Sequence, residues 1–142
     1  LKLTCKPRWI LMIKIYDSGY RGDCPLEDTD LINLVSWFDH NYPHLSSLLV
    51  HVPNESKIPV QGRVKLRMKG LKSGVQDLIL FKKQGGYSGL CLELKRKDRT
   101  KSKVNQNQED YAAEFSEEGF YCTFCYGLEE AKKCIKEYLL IK

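Results

Sequence analysis

The chain has 142 residues, is 42% hydrophobic and carries a net charge of +5, which fits one domain built around one core. Its longest unbroken apolar run, residues 9–13, is far too short to span a bilayer, and Lys14 cuts what would otherwise be a signal-peptide core. These features argue against a membrane span and a secreted precursor. They lead to the expectation of a cytoplasmic protein with no membrane partner.

Residues 1–24 read as an N-terminal extension, with Met12 as an alternative native start that would leave residues 1–11 non-native. Within it, residues 9–16 suit an edge strand, and 17–23 read as a turn or loop. A helix is predicted from Asp28 or Asp30, because Leu31, Leu34, Val35 and Phe38 recur at helical spacing and Pro43 stops it. Residues 48–52 predict a short buried strand. Residues 60–71 fit a helix ending before Gly70, on the stripe Val60, Val64 and Met68, although Val64, Leu66 and Met68 also alternate. Two strands, 75–81 and 89–95, are joined by a short loop with Gly85 and Gly86, which predicts an antiparallel hairpin. A lysine-rich loop, 96–104, precedes a helix over 105–118, opened by Asn105 and Gln108 at capping-box spacing. A strand over 120–126 and an amphipathic helix over 128–141 complete the chain. The order predicts a single α/β domain over 25–142, with a mixed β-sheet flanked by helices.

Charge is unevenly spread. Residues 57–103 have a balance of +11, and the remainder −6. A stretch this basic favours a polyanion, since each neutralised phosphate releases condensed counterions. Arg63, Lys65, Arg67, Lys69 and Lys72, together with Arg96, Lys97, Arg99 and Lys101, are the candidate DNA contacts. A merely solvated face is the plain alternative.

The six cysteines, at positions 5, 24, 91, 122, 125 and 134, are irregularly spaced. They read as reduced thiols. Cys122 and Cys125 have half a zinc spacing, but no second pair completes it, so core packing is the expected role. His40, His44 and His51 share no ligand spacing and read as surface or loop residues.

Chemistry concentrates on the hairpin. Strand side chains alternate faces. Leu90, Leu92 and Leu94 share one face, so Cys91, Glu93 and Lys95 share the other. Asp77 interrupts the neighbouring apolar strand, and antiparallel pairing would bring it close to Glu93. Two adjacent carboxylates repel and call for a cation, and a hard divalent ion such as Mg²⁺ suits oxygen ligands. Lys95 could then stabilise a phosphoryl transition state. Taken alone, the trio is explained as readily by a salt pair and a strand-end acid.

The surroundings shift that balance. Gly70-Leu-Lys-Ser-Gly-Val-Gln-Asp77-Leu, Gly89-Leu-Cys-Leu-Glu93-Leu-Lys95, Gln108 opening the next helix, and the upstream His51-Val-Pro-Asn54-Glu resemble the VRR-NUC branch of the PD-(D/E)xK nucleases, of the stand-alone phage and bacterial type. The likeness runs from about Glu27 to Leu140. It implies a restriction-endonuclease-like core and Mg²⁺- or Mn²⁺-dependent cleavage of DNA phosphodiesters. It assigns Asp77 and Glu93 as metal-binding acids, the Leu94 carbonyl as a further ligand, Lys95 as the catalytic lysine and Gln108 as its companion. A first-helix acid, Asp28 or Glu27, is implied as well, with Asp28 aligning slightly better. The family usually has proline before its first motif acid; here Gln76 stands there. Homodimers acting on branched DNA, including four-way (Holliday) junctions, are the implied biology, with Trp37, Phe38 and Tyr42 as interface candidates. A non-catalytic DNA-binding module of the same fold and an RNA-directed metal nuclease are the alternatives.

Overall fold

The computed structural model describes residues 13–142. The expectations for residues 1–12, including Trp9, Met12 and Cys5, lie outside them. The elements in chain order are β1 (Lys14–Tyr16), α1 (Glu27–Asn41), β2 (Leu49–His51), α2 (Val60–Met68), β3 (Leu78–Leu80), β4 (Gly89–Lys95), α3 (Gln106–Glu117), β5 (Phe120–Tyr126) and α4 (Leu128–Leu139). Among the described residues no helix is long and apolar enough to cross a membrane.

The strands form one five-stranded sheet in the order β1-β5-β4-β3-β2. The β1–β5 and β5–β4 pairs are parallel, whereas β4–β3 and β3–β2 are antiparallel. The mixed sheet flanked by helices is therefore as expected. β4 is the hydrophobic spine, and all seven of its residues are buried. Leu90, Leu92 and Leu94 join Leu78, Leu80, Leu34, Phe38 and Ile135 in the main core, under α1 and α4. On the opposite face Cys91 packs with Cys122, Phe124 and Ala112, under α3. This is the face alternation read from the sequence.

The hairpin closes as its glycines require. Gln84 and Tyr87 exchange backbone hydrogen bonds of 3.1 and 2.8 Å around Gly85 and Gly86. Both glycines have positive φ, 55° and 87°, the conformation of a two-residue type I′ turn. The strand expected over 75–81 shrinks to Leu78–Leu80: the Asp77 carbonyl still takes the next ladder bond, from Val52 N at 2.9 Å, but the Asp77 N–H turns to the Glu93 side chain at 3.1 Å.

Two further expectations change. The strand over 48–52 forms as Leu49–His51, but it is the sheet edge and half-exposed rather than buried, since only β3 covers it. The Val60, Val64, Met68 stripe does lie on a helix, yet none of the nine residues of α2 is buried. Of the edge strand expected over 9–16, the described part forms β1 at the sheet edge, parallel to β5, and the segment after it is tied to the loop following β4. Phe38 is wholly buried, and Trp37 packs on the core with its ring against Tyr42. Cys122 and Cys125 sit in different core clusters on opposite faces of β5, so they cannot share one ion. The described cysteines are all free thiols.

Candidate active site

The hairpin register ends at Leu78 opposite Leu92, which places Asp77 beside Glu93. Each carboxylate takes a hydrogen bond from the backbone across the hairpin. The Asp77 N–H donates to Glu93 Oε2 at 3.1 Å, and the Leu94 N–H donates to Asp77 Oδ2 at 2.9 Å. One oxygen of each carboxylate is thus fixed by backbone.

Lys95, two residues along the same strand face, is only 5% exposed, and Glu93 3%. The Lys95 ammonium lies 3.6 Å from Glu93 Oε1 and donates to the Lys103 carbonyl at 2.9 Å. Gln108 closes the group from α3. Its Nε2 donates to Glu93 Oε1 at 2.7 Å, while its Oε1 accepts from the Asn105 N–H at 3.1 Å. The Asn105 side chain in turn accepts from the Gln108 N–H, so the capping box that starts α3 also fixes a site residue. Gly74 lets the preceding loop approach: a Cβ there would meet backbone of Asn107 at 2.7 Å, and its φ is +94°.

Burial pushes both acids up. Glu93 rises to about 8, through desolvation first and repulsion from Asp77 second. Asp77 rises to about 6 from the same desolvation, partly opposed by its bond from Leu94. The Glu27 carboxylate raises both through its charge. A site that resists two negative charges is one that a cation would stabilise.

The two first-helix acids part company. The Glu27 carboxylate accepts from Ser102 Oγ and adds its field to the Asp77–Glu93 pair. Asp28 is turned to Lys57, whose ammonium lies 2.6 Å away, and its side chain is mostly exposed. Among the described residues no three acidic, histidine or cysteine groups converge tightly enough to form a ready-made metal cage. The assembled unit is the Asp77–Glu93 pair, with Glu27 standing behind it. All its donors are hard oxygens, which suits an ion that keeps several waters.

A polar cavity of about 310 Å³ opens onto the pair, lined by Asp77, Glu93, Gln108, Arg63, Arg67 and Lys72 among others. Of the expected DNA contacts, only these three basic residues line it. Lys65 and Lys69 lie exposed elsewhere on α2 and at its end. The second basic group has other occupations. Arg96 donates to the carbonyls of Cys24 and Pro25 at 2.7 and 3.2 Å. Arg99 pairs with Asp17 at 3.5 Å, Lys101 donates to the Gly22 carbonyl at 2.7 Å, and the Lys97 ammonium sits 4.4 Å from the Tyr20 ring centroid.

Three residues escape a reading of the sequence: Ser102 and Lys103, which hold Glu27 and Lys95, and Lys57, which pairs with Asp28. His51, whose Nδ1 lies 2.9 Å from the Asp77 carbonyl, belongs to a motif already singled out. Ser102 and Lys103 carry no local signal, because their partners are 75 and eight residues away.

The comparisons with known proteins agree with this fold. The VRR-NUC domain model matches residues 27–129. A solved structure described as a VRR_NUC domain protein superposes with a TM-score of 0.68 at 22% identity, covering 82% of this chain and 90% of that one. Comparison with the curated proteins gives no match. The chain belongs to the VRR-NUC domain family, which gives it a nuclease-type, DNA-related function.

Proposed function

We propose that this protein is a Mg²⁺- or Mn²⁺-dependent DNA endonuclease that hydrolyses phosphodiester bonds in branched DNA such as four-way junctions. The observation that carries the reading is the Asp77–Glu93 pair, with Lys95 and Gln108 on it, at the base of a cavity edged by Arg63, Arg67 and Lys72.

In this reading Asp77, Glu93 and the Leu94 carbonyl hold the ion. The Leu94 N–H already points to Asp77, and in an extended strand a residue's N–H and C=O leave by the same edge. Glu27, rather than Asp28, supplies the first-helix charge, since its field reaches both acids. Held by these oxygens, a divalent cation would supply charge neutralisation at a phosphoryl oxygen and a more acidic water. Lys95, fixed by Glu93 and the Lys103 carbonyl, presents a preorganised ammonium to the developing charge. Gln108 keeps Glu93 in its rotamer. Arg63, Arg67 and Lys72 hold flanking phosphates, which positions the strand without reading its sequence. A homodimer is part of the proposal, because symmetric cuts in two strands need two related sites.

The test is a cleavage panel of end-labelled junctions, flaps and plain duplexes with Mn²⁺. Cutting that favours the branched substrates, and falls at least a hundredfold in Lys95→Ala, is the expected result. No cutting by the wild type, or unchanged cutting by Lys95→Ala, overturns the proposal.

A further inference from the structure

α2 carries two stripes side by side. Arg63 and Arg67, one turn apart, line the cavity above Asp77 and Glu93. At 100° per residue, the neighbouring stripe around the helix is Val60, Val64 and Met68. These three are 65%, 58% and 84% exposed. They are not a core face, since α2 buries none of its residues. An apolar row left bare beside a functional pocket marks a contact surface.

What covers it is limited by charge. The helix and its end carry Arg63, Lys65, Arg67 and Lys69, and no acid occurs between Glu55 and Asp77. A partner must therefore combine strong negative charge with flat apolar faces. Nucleic acid does so only where bases are unstacked, because a regular duplex hides base faces inside the stack. Apolar side chains, methionine among them, are suited to meet such faces at distorted steps.

We propose that Val60, Val64 and Met68 form a platform for unstacked bases of the DNA strand whose phosphates lie on Arg63 and Arg67. The inference rests on the nuclease reading and deepens it: the platform selects branched or single-stranded DNA over plain duplex. A duplex is held through its phosphates alone. A branch point is held through its phosphates and its exposed base faces together.

The experiment is equilibrium binding of the full chain to three labelled DNAs: a duplex, a single strand and a four-way junction carrying 2-aminopurine at the branch. Catalysis is blocked by omitting divalent ions. Val64→Ser/Met68→Ser is expected to weaken junction and single-strand binding about tenfold, with duplex binding and its salt slope unchanged. It should also abolish the 2-aminopurine response. Met68→Trp enlarges the platform and is expected to tighten junction binding, a direction that damage to the fold cannot produce. An equal loss on all three DNAs, or no loss on any, overturns the platform while leaving the nuclease proposal standing. A change of oligomeric state in the double variant by sedimentation also overturns it, because the stripe would then belong to a second copy. A wild type that binds none of the three overturns both proposals.

Discussion

Two runs of positive charge look alike in this sequence and differ in the folded chain. Arg63, Arg67 and Lys72 edge the cavity over Asp77 and Glu93. Arg96, Arg99 and Lys101 are bound instead to Cys24, Pro25, Asp17 and Gly22, so they fasten the segment after β1 to the end of the sheet. The same residue types edge the candidate site in one place and fasten the fold in the other. Arg63 also donates to a carbonyl, that of Ile58 at 2.9 Å, but within its own segment. No acid falls between Glu55 and Asp77 around the first run, whereas the second lies against a loop carrying Asp17 and Asp23, with Asp98 accepting from the Gly22 N–H at 2.9 Å.

The largest effect that could break this contrast comes from paired deletions. Arg63→Ala/Arg67→Ala is expected to lower DNA affinity by at least tenfold in 0.1 M salt and to reduce the log–log salt slope by about 2, at roughly 0.9 for each phosphate no longer neutralised. Arg99→Ala/Lys101→Ala should leave that slope unchanged and speed amide exchange in residues 17–25. Equal slope changes in the two variants would show that both runs bind DNA.

The acids beneath the two runs sharpen the contrast through pH. Glu93 and Asp77 are raised by burial, to about 8 and about 6. A carboxylate raised in the folded state adds stability below its unfolded value and loses it as pH rises through the folded one. The metal-free protein should therefore lose stability as pH rises from about 4, the ordinary carboxylate value, through about 6 for Asp77 and about 8 for Glu93, and Mn²⁺ should raise its melting temperature more at the upper end of that range than at the lower. Asp98 goes the other way: bonds from Thr100 and the Gly22 N–H hold it down to about 2. Its contribution is present above the ordinary carboxylate value and is lost as pH falls from about 4 to about 2, so residues 17–25 should loosen only in that acid range. Thermal melts with and without Mn²⁺ check the first statement, and amide exchange against pH checks the second.

Much of the site is legible in the sequence because it is carried by local rules. Alternation on β4 puts Glu93 and Lys95 on one face, the two-glycine turn sets the hairpin register, and the Asn105–Gln108 spacing announces the capping box that aims Gln108. The rest depends on contacts that no local pattern encodes. Glu27 and Asp28 are adjacent on α1, and only the positions of Ser102 and Lys57 separate their roles. Residues 48–52 suggest a buried strand because they are apolar, yet the strand's place at the sheet edge follows from strand order, which spacing does not reveal. The basic loop after β4 suggests a DNA contact because its acceptors lie more than 70 residues back in the chain.

The smallest expected effect concerns Gln76, which occupies the position before Asp77. It is fully buried, and neither its Nε2 nor its Oε1 has a hydrogen-bond partner among the described residues. Burying an unsatisfied polar group costs roughly 1–3 kcal/mol. Gln76→Met, similar in length and without those polar atoms, is expected to stabilise the protein by about 1 kcal/mol in urea melts. Destabilisation would mean that the amide is satisfied in solution.

The central claim is that the Asp77–Glu93 pair drives metal-dependent cutting. Its most direct test is single-turnover cleavage of a labelled four-way junction in Mn²⁺ by the wild type and by Glu93→Gln, with junction binding measured alongside. The expected results are cutting by the wild type, a loss of at least a hundredfold in Glu93→Gln, and binding within about threefold of the wild type. Cutting by Glu93→Gln at the wild-type rate would contradict the claim.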